Sequence, residues 1–198
     1  MLFYDNSFNF FAYSKHEILM YRKIFILVSC FLLLMSRFLY GNIDSLLISL
    51  TKASVIEKPE ILNQLAEEYI HFEPTKSLKY ANEALQLAKK NHDEEQKARA
   101  LRNIGQFFTL RSNFSQALNK FNQSLDIYNE LGSEKNIAKL YCDIGKIYRF
   151  QSNYDEALKF HHVALKKFQK TDFKKGIARA YNNIGKVHWN LGDYYTAL

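Results

Sequence analysis

Apolar positions in the second half of the chain fall at helical spacing. Leu101, Ile104, Gly105 and Phe108 occupy i, i+3, i+4 and i+7, and Tyr141, Ile144, Gly145 and Tyr148 repeat the pattern, so each set marks one face of an amphipathic helix. A second helix follows each. Asn113 stands three residues before Gln116, and Asn153 three before Glu156, the spacing at which an N-cap side chain and its third residue satisfy unpaired amides. The predicted unit is a helical hairpin. A glycine inside the first helix costs about 1 kcal/mol relative to alanine, so Gly105 and Gly145 predict a closely packed neighbour. Ala117 and Ala157 on the second helix are the expected contact.

The unit recurs at one offset. Leu101-Arg102-Asn103-Ile104-Gly105 returns as Tyr141-Cys142-Asp143-Ile144-Gly145 and as Tyr181-Asn182-Asn183-Ile184-Gly185, each 40 residues on. Asn113 to Leu118 returns as Asn153 to Leu158 and Asp193 to Leu198 with the same step. A weaker first copy aligns Leu62, Leu65, Ala66 and Tyr69 with Leu101, Ile104, Gly105 and Phe108, then loses one residue near Pro74. A large residue, Ile-Gly, an aromatic, then Ala-Leu and a small residue resembles the tetratricopeptide repeat, over residues from about 57 to the end. The 40-residue unit exceeds the usual length of about 34, and the closing proline is absent, with Asn129 and Gln169 near its place. Such long units resemble those of bacterial regulators and cell-polarity adaptors. The resemblance implies an all-α, right-handed superhelical solenoid of antiparallel helix hairpins, in which each hairpin buries its apolar face against its neighbours.

Ahead of the array, Tyr21-Arg22-Lys23 precedes Ile24 to Met35, twelve residues without a charge, and then Ser36, Arg37 and Phe38-Leu39-Tyr40-Gly41. That is the order of a secretory signal peptide. The apolar stretch reaches 17 residues at Tyr40 and includes Arg37, against about 20 for a membrane span. Residues 20–41 therefore read as a signal peptide, with a signal anchor and a buried core helix as the alternatives. Met20 as the initiator would make residues 1–19 an upstream extension. Leu27-Val28-Ser29-Cys30 has the form of a lipoprotein box, but the apolar Phe31 to Met35 behind Cys30 argues against lipidation. Residues 42–56 predict a short helix capping the amino-terminal end of the array. Residues 57–198 hold about three and a half repeats and stop a few residues into a second helix, which predicts a longer protein.

Composition narrows the chemistry. With 7 Gly, 2 Pro and 47% hydrophobic residues among 198, a loop-rich sandwich is excluded. Two cysteines, one of them in the leader, make no disulfide framework. There is no phosphate loop, His-Glu-x-x-His, nucleophile elbow or Cys-x-x-Cys. His161 and His162 are adjacent and about 100° apart on a helix, so one is expected packed and one solvated. Cys142 is expected to be a packing residue. No catalytic residue, metal or cofactor is predicted.

In this family the first helix of each unit lines the concave groove. The resemblance maps that stripe onto Arg99, Arg102, Gln106 and Thr109, then Lys139, Cys142, Lys146 and Arg149, then Arg179, Asn182, Lys186 and Trp189. Seven of the twelve are Lys or Arg and none is acidic. A basic groove predicts an acidic protein or peptide segment as partner, the part of its own protein beyond Leu198 included. The chain carries +7, so a merely solvated basic face is the competing reading, while nucleic acid would require a binding motif that is missing. Asn103 and Asn183, with Asp143 between them in the series, sit beside the stripe and could bond a peptide backbone or bridge repeats. The partner-binding set is thus Arg99, Arg102, Asn103, Gln106, Lys139, Lys146, Arg149, Arg179, Asn183, Lys186 and Trp189. A leader followed by such repeats resembles the amino-terminal region of bacterial membrane sensor kinases and regulators, which implies an extracytoplasmic interaction module. A cytosolic scaffold with a misread leader is the alternative.

Overall fold

The computed structural model describes the backbone of residues 15–193 and the side chains of 20–29 and 42–193. The chain divides into two compact units, residues 1–45 and 46–198. Most of the first is α1 (Lys15–Lys52). In the apolar run after Lys23, the described Ile24, Phe25, Ile26, Leu27 and Val28 are all 47% exposed or more, whereas Ile43 further along the helix is buried. Cys30, the rest of the apolar run, the Gly41 exit and residues 1–14 lie outside the described side chains. The separate capping helix expected over 42–56 is absent. Residues 42–52 continue α1 without a break, and the chain turns only through 53–57. Gly41 does not end the helix, because one glycine costs about 1 kcal/mol and no proline occurs before Pro59.

The second unit is the hairpin array. Its helices are α2 (Lys58–Tyr69), α3 (Pro74–Lys90), α4 (Glu94–Leu110), α5 (Phe114–Glu130), α6 (Glu134–Phe150), α7 (Tyr154–Lys170) and α8 (Lys174–Leu191). The 40-residue period has a simple origin: α3 to α7 are each 17 residues long, separated by three-residue turns. Compared with a 34-residue unit, each helix gains about three residues, close to one turn. Each of the five turns between α3 and α8 is built alike. Its middle residue (His92, Ser112, Gly132, Ser152 or Asp172) has φ between 48° and 63°, and the next amide bonds back to the helix end, as Asn113 N does to Phe108 O at 2.9 Å. This is the left-handed termination that closes helices. The following helix is then capped: Asn113 Oδ1 accepts from Gln116 N at 3.3 Å and Asn153 Oδ1 from Glu156 N at 3.4 Å, at the two positions the sequence pattern marks.

Each helix packs on its neighbours in sequence, and α2, α4, α6 and α8 also touch in turn, so the first helices of successive hairpins form one wall. The core consists of three clusters, each shared between successive hairpins. The glycines explain the closeness of α4 to α5 and of α6 to α7. A Cβ on Gly105 would stand 2.5 Å from Phe121 Cε1, and one on Gly145 would stand 2.6 Å from His161 Cε1. The contacts are therefore rings, one turn beyond the fully buried Ala117 and Ala157 that the pattern favours.

His161 occupies the place of Phe121 with a polar ring. It is fully buried, both ring nitrogens lack a partner, and His162 is exposed. Burial, reinforced by Lys146, Arg149 and Arg179 against Asp143, pushes the imidazole down to about 4. The unfolded chain therefore binds more protons than the folded one between about pH 6.5 and 4. Stability falls with pH across that window, by on the order of 3 kcal/mol. In His161→Phe, chemical denaturation should show a stability advantage over the wild type that widens as pH drops from 6.5 to 4. A constant difference across that range would refute the assignment.

Candidate functional site

The wall formed by α2, α4, α6 and α8 lines a groove of about 750 Å³. Its cations are Arg102, Lys139, Lys146, Arg149, Lys175, Arg179 and Lys186, and its carboxylates are Glu67 and Asp143. The groove is therefore mostly basic, but beside the stripe it contains two acids. Asp143 is 2% exposed. Its Oδ2 accepts from Arg102 Nε at 2.7 Å and Gln106 Nε2 at 3.1 Å, and its Oδ1 from Arg179 Nη2 at 2.5 Å and Lys146 Nζ at 3.4 Å. Burial alone would raise its pKa, but Arg102, Arg179 and Lys146 outweigh it and hold the carboxyl well below the usual range. The charge is thus kept, and it clamps α4, α6 and α8 together.

Glu67 does the same at the amino-terminal end. Arg99 Nε and Nη2 reach its two oxygens at 2.8 Å each, a bidentate pair. Burial opposes ionisation of Glu67, but the Arg99 fork and charge lower its pKa overall. The alignment that equates Ala66 with Gly105 also equates Glu67 with Gln106. Extending the groove positions back one unit was thus the signal that would have found this acid.

Of the residues predicted to bind a partner, four are already held in ion pairs within the fold, and Gln106 is hydrogen-bonded to Asp143. Arg99, Arg102, Lys146 and Arg179 pair with these two carboxylates, Arg102 being buried at 7% exposure. Asn103 bridges repeats, its Nδ2 donating to Asn63 Oδ1 at 3.1 Å and Asn63 O at 3.2 Å. Asn183 is buried, and its Nδ2 has no partner. Cys142 faces the core instead of the groove, and burial pushes its thiol up to about 11, so it stays protonated. Trp189 is 64% exposed and is not part of the groove lining. Lys139, Arg149 and Lys186 line the groove, as does Lys175, which was not foreseen. Among the described residues none of these four forms an ion pair. Lys139 Nζ donates to Asn136 Oδ1 at 3.0 Å, and Arg149 stacks on the Phe150 ring at 4.5 Å. Ile70, Leu110, Phe150 and Phe173 supply apolar surface between the charges. Among the described residues no group of three or more His, Cys, Asp or Glu could hold a metal, and no helix is long and apolar enough to cross a membrane.

The tetratricopeptide repeat family model matches residues 60–130 and 136–198. The chain belongs to that family. No curated protein matches it. Among solved structures, the tetratricopeptide array is similar to a Rap protein complexed with Competence and Sporulation Factor, at 24% identity and a TM-score of 0.72, covering 82% of this chain and 48% of that one. It is also similar to aspartyl phosphate phosphatase F from Bacillus subtilis (20%, 0.65, 73% and 38%). A third is the Rap conjugation gene regulator of the plasmid pLS20 in complex with the Phr* peptide (22%, 0.61, 69% and 39%). The chain spans less than half the length of each of these three, and at such identities the likeness concerns the fold.

Asp143 stands where the other repeats have Asn103 and Asn183, so repeat logic makes Asp143→Asn look benign. The structure reverses that expectation. Removing the charge leaves Arg102 buried with no carboxylate, a loss of about 3–5 kcal/mol. Urea denaturation should show it, with the midpoint lowered; an unchanged midpoint would mean the cluster adds nothing to the fold.

Proposed function

We propose that the array is a protein-interaction module that holds an extended acidic segment in its basic groove. We further propose that it forms the extracytoplasmic, amino-terminal part of a longer bacterial signalling protein. The observation that carries the first statement is the division of the cations. Both groove carboxylates are engaged by cations of the fold, yet Lys139, Arg149, Lys175 and Lys186 still face the groove without a carboxylate. A solvated face does not account for Lys139, whose ammonium is partly buried and pushed down to about 8 by burial, with Arg102 adding to the effect. Complementary charge steers a ligand and sets its register more than it adds raw affinity, and the aromatic and aliphatic patches between the cations supply contact area. That two structures of the same fold are complexes, one with Competence and Sporulation Factor and one with the Phr* peptide, supports a groove that accepts a ligand. Binding, with no catalytic step in these residues, is the reading we adopt.

The second statement rests on the leader. Arg22-Lys23 precedes an apolar run whose described part, Ile24 to Val28, is exposed around the helix, as a segment read by export machinery would be. The competing reading is a cytosolic scaffold.

Two experiments decide. Reversing Arg149, Lys175 and Lys186 together to Glu spares the cations that pair with Asp143. Fluorescence anisotropy with a labelled decapeptide of alternating Gly and Glu should then show binding weakened by about tenfold or more, near 1.4 kcal/mol, and a shallower salt dependence. Unchanged affinity and salt dependence would make the stripe a solvated surface. For the leader, a reporter enzyme active only outside the cytoplasm, fused after Leu198, should be active. Activity that survives deletion of residues 20–41 would end that part of the proposal.

A further inference from the structure

One column of side chains runs through the first helices at the step of the repeat: Asn63 of α2, Asn103 of α4, Asp143 of α6 and Asn183 of α8. All four are at most 5% exposed. Where two asparagines are neighbours in the column they bond across the hairpins, Asn103 Nδ2 donating to Asn63 Oδ1 at 3.1 Å and to Asn63 O at 3.2 Å. Asp143 interrupts the series. A carboxylate has no N–H to give, and Asn103 Oδ1 is left without a partner. On the other side Arg179 and Lys146 occupy Asp143 Oδ1, and Asn183 Nδ2 is left without a partner as well. One residue of the column thus accounts for both orphaned amide atoms.

We propose that Asn183 is the reserve partner of Asp143: its side-chain amide takes Oδ1 of the carboxylate when Arg179 lets go. The joint between the third and fourth hairpins then holds by either of two bonds, and Arg179 is free to turn into the groove.

The repeat supplies the geometry. Asn183 stands to Asp143 as Asn103 stands to Asn63, and α6 touches α8 as α2 touches α4. A buried amide donor without a good acceptor costs free energy, and the Cys142 thiol beside Asn183 is only a weak one. A bond to Asp143 would remove that cost. Of the two arginines on Asp143, only Arg179 is placed to leave. The side chain of Arg102 is 8% exposed, whereas that of Arg179 is 31% exposed and lines the groove. With Arg179 gone, Arg102, Gln106 and Lys146 still reach the carboxylate, so its charge stays balanced and the amide fills the vacated place. The exchange is independent of what the groove binds. Its consequence there rests on the reading given above, since release of Arg179 adds it to Lys139, Arg149, Lys175 and Lys186 as a groove cation without a carboxylate.

The test uses the full chain with no ligand added. In a double-mutant cycle followed by urea denaturation, Asn183→Leu should leave the midpoint near that of the wild type, because the amide is idle while Arg179 is paired. Arg179→Met should lower it modestly, because Asn183 takes over. The combined variant removes both partners and should lower it by about twice the sum of the single shifts or more, the coupling expected of groups that share one acceptor. In Arg179→Met alone, the side-chain amide proton of Asn183, identified in nitrogen-15 spectra by its absence from Asn183→Leu, should move downfield, the direction of a new bond to a carboxylate. That measurement decides even if the combined variant does not fold. Additive midpoints, or an amide resonance that stays where it is, would overturn the exchange and leave the groove reading standing. Failure of the Glu peptide to bind sinks the groove reading and removes only the added role of Arg179 there.

Discussion

Asp143 is buried to 2% exposure among the first helices of the array. Moving such a charge from water costs several kcal/mol even after the protein relaxes. It remains ionised because Arg102, Arg179 and Lys146 converge on it from α4, α8 and its own helix. Once that cluster is set, the stagger of three consecutive hairpins is set with it, since moving one helix by a turn would separate a buried arginine from its only acid in the cluster. The groove is the surface left over when these contacts are satisfied. Its chemistry is therefore decided by which cations the cluster consumes.

Packing and electrostatics act on the same helices from opposite sides. On the inner side α4 and α6 carry the ion cluster. On the outer side Gly105 and Gly145 let a ring of the following helix lie against backbone. The missing side chains bring the two helices of each hairpin together, and that closeness lets the second helix cover the apolar residues of the first. Phe121 serves this purpose without polar cost, whereas His161 carries two unsatisfied nitrogens in the equivalent slot. The array is thus regular in backbone but not in energy. Its third hairpin carries the buried histidine and also supplies Asp143.

This division of roles among like charges bears on what the groove recognises. Paired cations are fixed and already compensated, so they contribute shape and a residual positive field. Unpaired ones respond to a ligand. Lys139 lies at the boundary between the two groups, partly buried like the first and lacking a carboxylate like the second.

Much of the fold is legible in the chain by itself. The 40-residue step, the helix starts after Asn113 and Asn153, the split of His161 and His162 into one packed and one solvated ring, and the family all follow from patterns within one helix or one turn, where i, i+3 and i+4 relations are fixed by backbone geometry. The site is less legible. That the stripe is basic can be read from composition along one face, but that Arg99 belongs to Glu67 and Arg102 to Asp143 depends on residues 32 and 41 positions apart. The same holds for the ring against Gly105. Such pairings depend on how far one helix is displaced along its neighbour, a quantity fixed only when all the side chains between two helices pack at once. Local sequence determined which residues face inward; the stacking of the hairpins decided which of them were already taken.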